Sequence, residues 1–193
     1  MLIDRLTPIT SDRFWDSPLK VVLGGFFLAL VAPIELFSHT ALPMTLQTLI
    51  VLWLACILGP GRGALAVLFY LTLGAIGLPV FAEGKGGWEH LFGPTGGFLW
   101  SFVLVAFLAG YAARYRWGQE GLGVALVWLL GHGLILLGGG LWLGFQKGFQ
   151  GLWPMLFALW PGVLIKSLVG TLLTWGSNAL MQYLIRNREE HSR

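Results

Sequence analysis

Charged residues are absent from long stretches of this chain, and these stretches are rich in Leu, Val, Ala and Phe. Six runs contain no Asp, Glu, Lys or Arg: 36–61, 63–82, 90–113, 121–146, 148–165 and 167–185. Most of these runs reach the roughly 18 apolar residues that mark a membrane-spanning helix. The pattern therefore predicts an all-α membrane protein.

Turn signals and prolines divide these runs, together with the first apolar segment of the chain, into six predicted transmembrane helices. They span about 18–37, 44–59, 63–79, 95–114, 121–143 and 162–185, within a single integral-membrane domain of residues 1–193. A helix of 20 residues rises about 30 Å, the thickness of the hydrocarbon layer. Pro154 and Pro161 interrupt the remaining apolar segment, 149–160, so this segment is predicted to be interfacial or re-entrant.

The composition agrees with a lipid environment. Hydrophobic residues make up 56% of the chain and charged residues 11%, and the mean hydropathy is +0.75. The basic residues flank the apolar runs and form no continuous stripe, so the pI near 9.3 indicates membrane topology and not a nucleic-acid partner.

The basic residues also predict the orientation of the six helices. With both termini cytoplasmic, the inner side carries nine of them: Arg5, Arg13, Lys20, Arg62, Arg114, Arg116, Arg186, Arg188 and Arg193. The outer loops carry only Lys85 and Lys147. This is the positive-inside bias of membrane proteins. The elaborate connections 38–44, 77–97 and 144–161 then lie outside, so a ligand pocket is expected to open to the outer face.

No catalytic, metal or cofactor site is predicted. The pair Lys166-Ser167 follows an isoleucine and lacks the glycine of a phosphate-binding loop, and the serine-hydrolase and zinc-protease motifs are absent. His132 with Ser101 or Ser167 would suit an intramembrane protease, but nothing in the sequence favours that pairing. Because glycines flank His132, a helix–helix hydrogen bond is the simpler interpretation.

The loop GLPVFAEGKGGWEHLFGPTGG, residues 77–97, is the most promising ligand contact. Glycines give a ligand access to backbone N–H and C=O groups, and Gly96 and Gly97 begin the fourth helix at its positive dipole end. Phe81 and Trp88 supply apolar walls. Pro79 and Pro94 indicate a folded loop. A small ligand with a polar head is therefore expected here.

Lys166 is exceptional because it lies about four residues into the predicted sixth helix. A charge well inside the membrane costs about 2.5–3.5 kcal/mol on insertion scales. An ion pair with Glu35, Glu83 or Glu89 would offset this cost, as would snorkelling to the surface or an anionic ligand. Position and cost alone leave the three alternatives open.

Several segments together resemble the BioY family. They are LPMTLQTLIVL (42–52), ILGPGRGALAVLFYLTLGAIGLPVFAEGKGGW (57–88), LFGPTGGFLWSFVLVAFLAG (91–110) and PGVLIK (161–166). This family contains the biotin-binding substrate (S) components of energy-coupling-factor transporters. The resemblance covers about residues 20–185. It implies six helices, an outward-facing biotin pocket with the first loop as a lid, and no enzymatic activity.

The resemblance also implies roles for particular residues. Lys166 matches the lysine expected near the biotin carboxylate, and the segments 81–88 and 45–47 match those expected around the bicyclic head. With the glycines, the predicted substrate-binding set is Lys166, Trp88, Phe81, Gly84, Gly86, Gly87, Thr45, Gln47, Gly96 and Gly97. Val163 stands where the family often has an aspartate that would accept ureido N–H groups. Gln47, a backbone carbonyl or Glu83 is expected to replace it.

The predicted function is capture of biotin at the outer face of a bacterial plasma or inner membrane, for ATP-driven uptake. The implied partners are a membrane coupling subunit and paired ATPases. Gly25 and Ala29 form a small-residue step on the first helix, which is expected either to contact the coupling subunit or to pack within the chain. The alternative function is a biotin facilitator or carrier that works without the ATPases.

Overall fold

The computed structural model describes residues 16–37, 44–115, 118, 121–150 and 152–191. Within these ranges six helices have twelve residues or more: α1 (Asp16–Val31), α2 (Gln47–Leu58), α3 (Pro60–Ala75), α5 (Gly96–Ala112), α6 (Gly121–Lys147) and α7 (Leu152–His191). Smaller elements are the 3-10 turn Ala82–Gly84, the helix α4 (Trp88–Phe92) and the strands β1 (Glu35–Phe37) and β2 (Met44–Thr45). The apolar runs therefore form helices, as predicted.

Two of these helices are long and apolar enough by themselves to cross a membrane, judged over the described part of the chain. They are α6 and the stretch Leu152–Leu184 of α7. Shorter apolar helices cover Pro18–Val31, Gln47–Leu58 and Gly96–Ala112. Large apolar side chains such as Leu30, Leu122 and Phe145 are exposed on the outer faces of the bundle. Apolar outer faces fit a protein whose solvent is lipid.

The first helix ends earlier than predicted. α1 ends at Val31, two residues before Pro33, which cannot continue a helix because it has no backbone N–H. Residues 35–37, which the apolar pattern assigned to the first span, instead form β1 and pair antiparallel with β2. The N–H of Leu46 donates to the Ile34 carbonyl at 3.0 Å and closes this hairpin beside the start of α2.

The turn between α2 and α3 is as tight as the Gly59-Pro60-Gly61 sequence predicts. Gly59 has φ 80°, a conformation that favours glycine, and Pro60 is the first residue of α3. An added Cβ at Gly63 would meet the Ala55 Cα at 2.9 Å, so α2 and α3 approach each other closely. Tyr70, Phe102 and Trp128, from α3, α5 and α6, are fully buried in the core between the helices.

The small-residue step on α1 packs within the chain. A Cβ at Gly25 would meet the Ala66 carbonyl oxygen of α3 at 2.9 Å, and Ala29 is only 8% exposed. This arrangement matches the second of the two sequence alternatives. Contact of Gly25 and Ala29 with a coupling subunit stays a prediction.

The last helix differs most from its prediction. α7 runs without interruption from Leu152 through Pro161, so residues 152–160 are the first turns of the sixth long helix and not a separate segment. Pro154 lies in the first turn, where a helix lacks acceptors for its N–H groups in any case, and membrane helices tolerate an internal proline. Leu156 covers Gly140, which docks this segment on α6. Lys166 consequently lies about 21 Å along α7, much farther than predicted.

Candidate ligand-binding site

A cavity of about 330 Å³ lies between α2, α5, α6, α7 and the loop 81–95. Much of its wall is apolar, with side chains that include Phe98, Leu99, Phe102, Ile135, Leu136 and Leu159. The polar groups are fewer: Thr45, Gln47 and Thr48 near the start of α2, His132 on α6, Lys166 on α7, and Glu83, Lys85, His90 and Thr95 in the loop. Apolar walls with a few placed polar groups are typical of small-molecule sites.

The loop over the cavity is folded onto α3. Phe81 is buried against Gly74, where an added Cβ would overlap the Phe81 ring, and it meets Tyr70 edge-on with ring centroids 5.7 Å apart. The Gly87 N–H donates to the Gly74 carbonyl at 2.7 Å, and the Phe81 N–H donates to the Lys85 carbonyl at 2.8 Å. The structure thus agrees with the folded loop that the prolines predict.

A buried hydrogen-bond chain fixes the side chain of Gln47. The Tyr70 hydroxyl donates to the Val80 carbonyl at 3.1 Å. Because that hydroxyl has a single proton, its oxygen accepts from the Gln47 amide nitrogen, which contacts it. This leaves the amide oxygen of Gln47 outside the chain of hydrogen bonds. The backbone N–H of Gln47 donates to the Thr45 hydroxyl at 3.3 Å, which orders the first turn of α2.

Lys166 is 8% exposed, and its Nζ donates to the Thr48 hydroxyl at 3.3 Å. The described residues place no carboxylate within 4.0 Å of this nitrogen. Glu83, one of the partners considered from the sequence, pairs with Lys85 at 2.6 Å. Of the three alternatives for Lys166, the internal ion pair is therefore not found in the described part of the chain.

His132 contacts two neighbours through one ring nitrogen. Its Nδ1 lies 3.0 Å from the Trp128 carbonyl oxygen and 3.1 Å from the Ser167 hydroxyl, which joins α6 to α7 as the helix–helix interpretation predicts. The structure brings together the pair considered for a protease. A carbonyl oxygen only accepts, so Nδ1 carries the proton and is not the base that a serine nucleophile needs. Ser101 donates instead to the Gly97 carbonyl at 2.6 Å.

The predicted substrate-binding residues fall into two groups. Lys166, Phe81, Thr45 and Gln47 line the cavity. The other six do not line it: Trp88, Gly84, Gly86, Gly87, Gly96 and Gly97. Their role as ligand contacts stays a prediction.

Local structure explains where the second group lies. Trp88 is 62% exposed and packs on Phe92 with ring centroids 5.1 Å apart. Gly84 and Gly87 adopt φ 65° and 105° in the loop. An added Cβ would overlap the Leu78 carbonyl at Gly86, the Leu91 carbonyl at Gly96 and the Trp142 side chain at Gly97. In the structure several of these glycines allow turns and close packing.

Sequence reasoning missed several residues that line the cavity. The sequence indicates His132 as a helix-packing residue or as part of a protease pair and not as a ligand contact, and nothing in it marks Thr48 or the aromatic side chains of α5. A polar residue inside an apolar run, as at His132, is the signal that could have placed it in a cavity. Among the described residues no three His, Cys, Asp or Glu side chains cluster as a metal site would require.

The sequence of the whole chain has clear relatives. The model of the BioY family matches residues 10–183. The chain belongs to the BioY family. The biotin transporter BioY of Rhizobium etli is 36% identical over 177 residues, which is 81% of this chain and 91% of that protein. BioY2 of Lactococcus lactis subsp. cremoris, also a biotin transporter, is 32% identical over 164 residues, 85% of this chain and 89% of its own length.

A solved structure has the same fold. It is the crystal structure of the S-component for biotin from an ECF-type ABC transporter, with a TM-score of 0.73 at 24% identity, covering 88% of this chain and 94% of that one. At this identity the likeness shows the fold alone. The predicted resemblance to BioY is thus confirmed, and the relatives are named as transporters and not as enzymes.

Proposed function

We propose that this chain is the substrate-binding component of an energy-coupling-factor transporter and that it captures biotin in the cavity between α2, α5, α6 and α7. The names of the BioY relatives support biotin as the substrate. The ECF-type neighbour supports a partnership with a membrane coupling subunit and paired ATPases, which would supply the energy for uptake.

The observation that carries the proposal is a buried lysine, in an otherwise mostly apolar cavity, for which the described residues provide no carboxylate partner. Biotin combines a carboxylate on an apolar tail with a bicycle that is apolar apart from its ureido group, which is the complement of Lys166 and of these walls. A charge-assisted hydrogen bond contributes about 1.5–3 kcal/mol, which offsets the cost of holding the ammonium group away from water. Thr45, Gln47 and Phe81 then surround the rest of the ligand.

The loop glycines and Trp88 lie outside the cavity wall, so we propose that they contact biotin only when the loop moves. Trp88 is exposed beside the loop and could cover a bound ligand. Gly84 and Gly87, with positive φ, are positions where the backbone can turn.

The orientation proposal rests on which turns share an end of the bundle. An added Cβ at Gly59 would lie 3.9 Å from the Arg114 guanidinium, so the α2–α3 turn and the end of α5 meet at one end. At the other end the Gln146 amide donates to the Phe92 carbonyl at 2.7 Å, beside the cavity loop. The positive-inside rule assigns the arginine end to the cytoplasm. The cavity then opens outward, in a six-span protein of the bacterial plasma or inner membrane.

A binding titration tests the proposal directly. The purified protein is titrated with biotin, dethiobiotin, lipoate and thiamin, and biotin is expected to bind most tightly. Equal binding of thiamin, or no binding of biotin, would reject the proposed substrate. Biotin uptake is then measured in cells that lack every coupling subunit, where no uptake is expected. Full uptake in those cells would favour the carrier that works alone.

A further inference from the structure

We infer that His132 binds the ligand as a hydrogen-bond acceptor, through its Nε2 atom, for an N–H group of the ligand. The inference rests on the proposed function, because it assigns one contact within the same cavity. It adds a specificity-determining residue on α6 to the carboxylate contact on α7.

The unpartnered ring nitrogen is the first observation. His132 is 2% exposed and lines the cavity, and its Nε2 is the one buried side-chain nitrogen or oxygen in the described residues that has no hydrogen-bond partner. Nearly all buried polar groups in proteins are paired, because leaving one unpaired costs its full desolvation free energy. Because His132 lines the cavity, a group of a ligand bound there is the available partner for Nε2.

The neighbours of the other ring nitrogen decide what that partner must be. Nδ1 lies 3.0 Å from the Trp128 carbonyl oxygen, and two lone pairs would repel at this distance if Nδ1 were bare. Nδ1 therefore carries a proton. A second proton, on Nε2, would bury a cation for which the described residues offer no carboxylate partner, so the ring is neutral. In a neutral imidazole the other nitrogen is then an acceptor. The partner of Nε2 must be a donor.

Packing holds the ring in this orientation. The Trp128 ring lies beside the His132 ring with centroids 5.9 Å apart, and the Ser167 hydroxyl contacts Nδ1 at 3.1 Å from the facing helix. Trp128 is itself fixed, since its Nε1 donates to the Thr174 hydroxyl at 3.1 Å. The acceptor is thus positioned before a ligand arrives, which lowers the entropic cost of binding.

The surroundings favour a ligand over a water molecule as the donor. A buried water typically needs two to four polar partners. Ile135, one turn along α6 from His132, and Val163, one turn before Ser167 on α7, both line the cavity and offer none. Biotin carries two ureido N–H groups on an otherwise apolar bicycle. One of them satisfies Nε2 while the bicycle contacts these apolar neighbours.

A cycle of protein and ligand changes tests the inference. His132→Phe keeps the ring and removes the acceptor, and its affinity for biotin is expected to fall by about 5- to 140-fold. The ligand change uses the two cyclic carbamate analogues, in each of which one ureido N–H is replaced by oxygen. One of them is expected to bind wild type and His132→Phe with nearly equal affinity, because it lacks the donor that faces Nε2. The other is expected to behave like biotin.

Two further variants separate binding from helix packing. Ser177→Ala removes an α2–α7 hydrogen bond, the one that the Trp53 Nε1 donates to the Ser177 hydroxyl outside the cavity, and should leave biotin affinity unchanged. His132→Gln returns an amide acceptor near the position of Nε2 and should recover part of the affinity. In wild-type protein with ¹⁵N-labelled histidine, the Nε2 resonance should be that of an unprotonated nitrogen and should shift when biotin is added.

The outcomes are distinct. If His132→Phe lowers the affinity for biotin and for both carbamates by the same factor, or lowers none of the three affinities, the inference is overturned. The proposal that the protein binds biotin then still stands. An Nε2 that carries a proton in the biotin-bound wild type also overturns it, without need of any variant. If wild type does not bind biotin, both the proposed function and this inference fall.

Discussion

Lys166 and His132 line one mostly apolar cavity, and their nitrogen atoms differ in charge and in hydrogen-bonding role. Lys166 offers a cation and donors, and His132 offers a neutral acceptor held by Trp128 and Ser167. A carboxylate and an N–H group on the same ligand would satisfy both atoms. This combination separates biotin from lipoate, which has a carboxylate but no N–H group.

The residue-scale prediction compares the two lysines of the cavity. Lys166→Met is expected to weaken biotin binding by about 10- to 150-fold, because a charge-assisted hydrogen bond of about 1.5–3 kcal/mol is lost. Lys85→Met should change affinity much less, since Lys85 lies at an exposed position and pairs with Glu83. Titration calorimetry with biotin and biotin amide checks both variants.

The amide supplies the decisive comparison, because it lacks the charge. Wild type and Lys166→Met should bind it with similar affinity. If the variant weakens acid and amide equally, Lys166 has a structural role. If Lys85→Met shows the larger loss for biotin, the carboxylate is held in the loop and not at α7.

At the scale of elements, glycines determine how closely the helices approach the cavity. Gly170 on α7 lies under the Trp128 ring, and Gly97 on α5 lies against Trp142 of α6. The position of Trp128 in turn holds His132 beside the cavity. Helix packing and the chemistry of the site are therefore linked through a few positions that have no side chain.

Gly170→Ala tests this link, with Gly176→Ala on the same helix as its control. A Cβ at position 170 would overlap the buried Trp128 ring, whereas a Cβ at 176 meets nothing within 4 Å. Gly170→Ala should destabilise the protein by about 1–3 kcal/mol and weaken biotin binding, because the displaced ring moves His132. Gly176→Ala should keep or raise stability by up to about 1 kcal/mol, since alanine favours the helix.

Thermal unfolding in detergent, followed by circular dichroism, measures the stability of both variants. A biotin titration on the same samples measures the site. Equal melting temperatures for the two variants would show that α6 and α7 do not pack as described. If Gly170→Ala is destabilised but binds biotin normally, the position of Trp128 does not determine the affinity of the site.

The sequence predicts the helices better than their ends or their contacts. Apolar runs report which segments prefer lipid, so they locate α2, α3, α5 and α6 within a few residues. They cannot report that Pro161 lies inside α7, because whether a membrane helix continues through a proline depends on its surroundings in the bundle. They also missed the β1–β2 hairpin, which depends on pairing across a connection.

The site was predictable to a similar degree. Lys166 is predictable because a charge in an apolar run is costly, and motif similarity predicts its partner. The acceptor expected to replace the aspartate at Val163 was sought in Gln47, Glu83 or the backbone. His132 lies on α6, away from Gln47 and Glu83 in the sequence. Its position at the cavity depends on the register between α6 and α7, which the sequence does not predict.

At the scale of the whole molecule, α1 has two alternative roles, which are packing within the chain and contact with a coupling subunit. Because Ala29 is buried against the chain's own helices, Ala29→Trp is expected to disrupt this packing and to lose biotin binding and uptake together. The neighbouring Leu30→Trp, on an exposed apolar face, should leave binding intact. Binding and uptake assays on both variants check this. Lost uptake with normal binding in Ala29→Trp would instead support the predicted contact with the coupling subunit.

The proposed orientation of the molecule rests on the distribution of its charges and can be tested independently of biotin. Single cysteines at positions 89 and 190, in a Cys56→Ala background, replace exposed glutamates at α4 and near the end of α7. Position 89 belongs to the cavity loop, and position 190 lies among the C-terminal arginines, so the nine-to-two distribution of basic residues predicts that they lie on opposite sides. A membrane-impermeant maleimide should label position 89 in intact cells and position 190 only after permeabilisation.

Two more positions make the test independent of any one site. Lys147→Cys should label like position 89, because Gln146 contacts the loop carbonyl of Phe92. Gly61→Cys should label like position 190, since the α2–α3 turn meets Arg114 at the arginine end and position 61 has open space around it. Labelling of positions 89 and 190 from the same side would contradict the six-span topology. If all four labels are found on the sides opposite to those expected, the spans stand but the cavity opens to the cytoplasm, and capture of external biotin would be excluded.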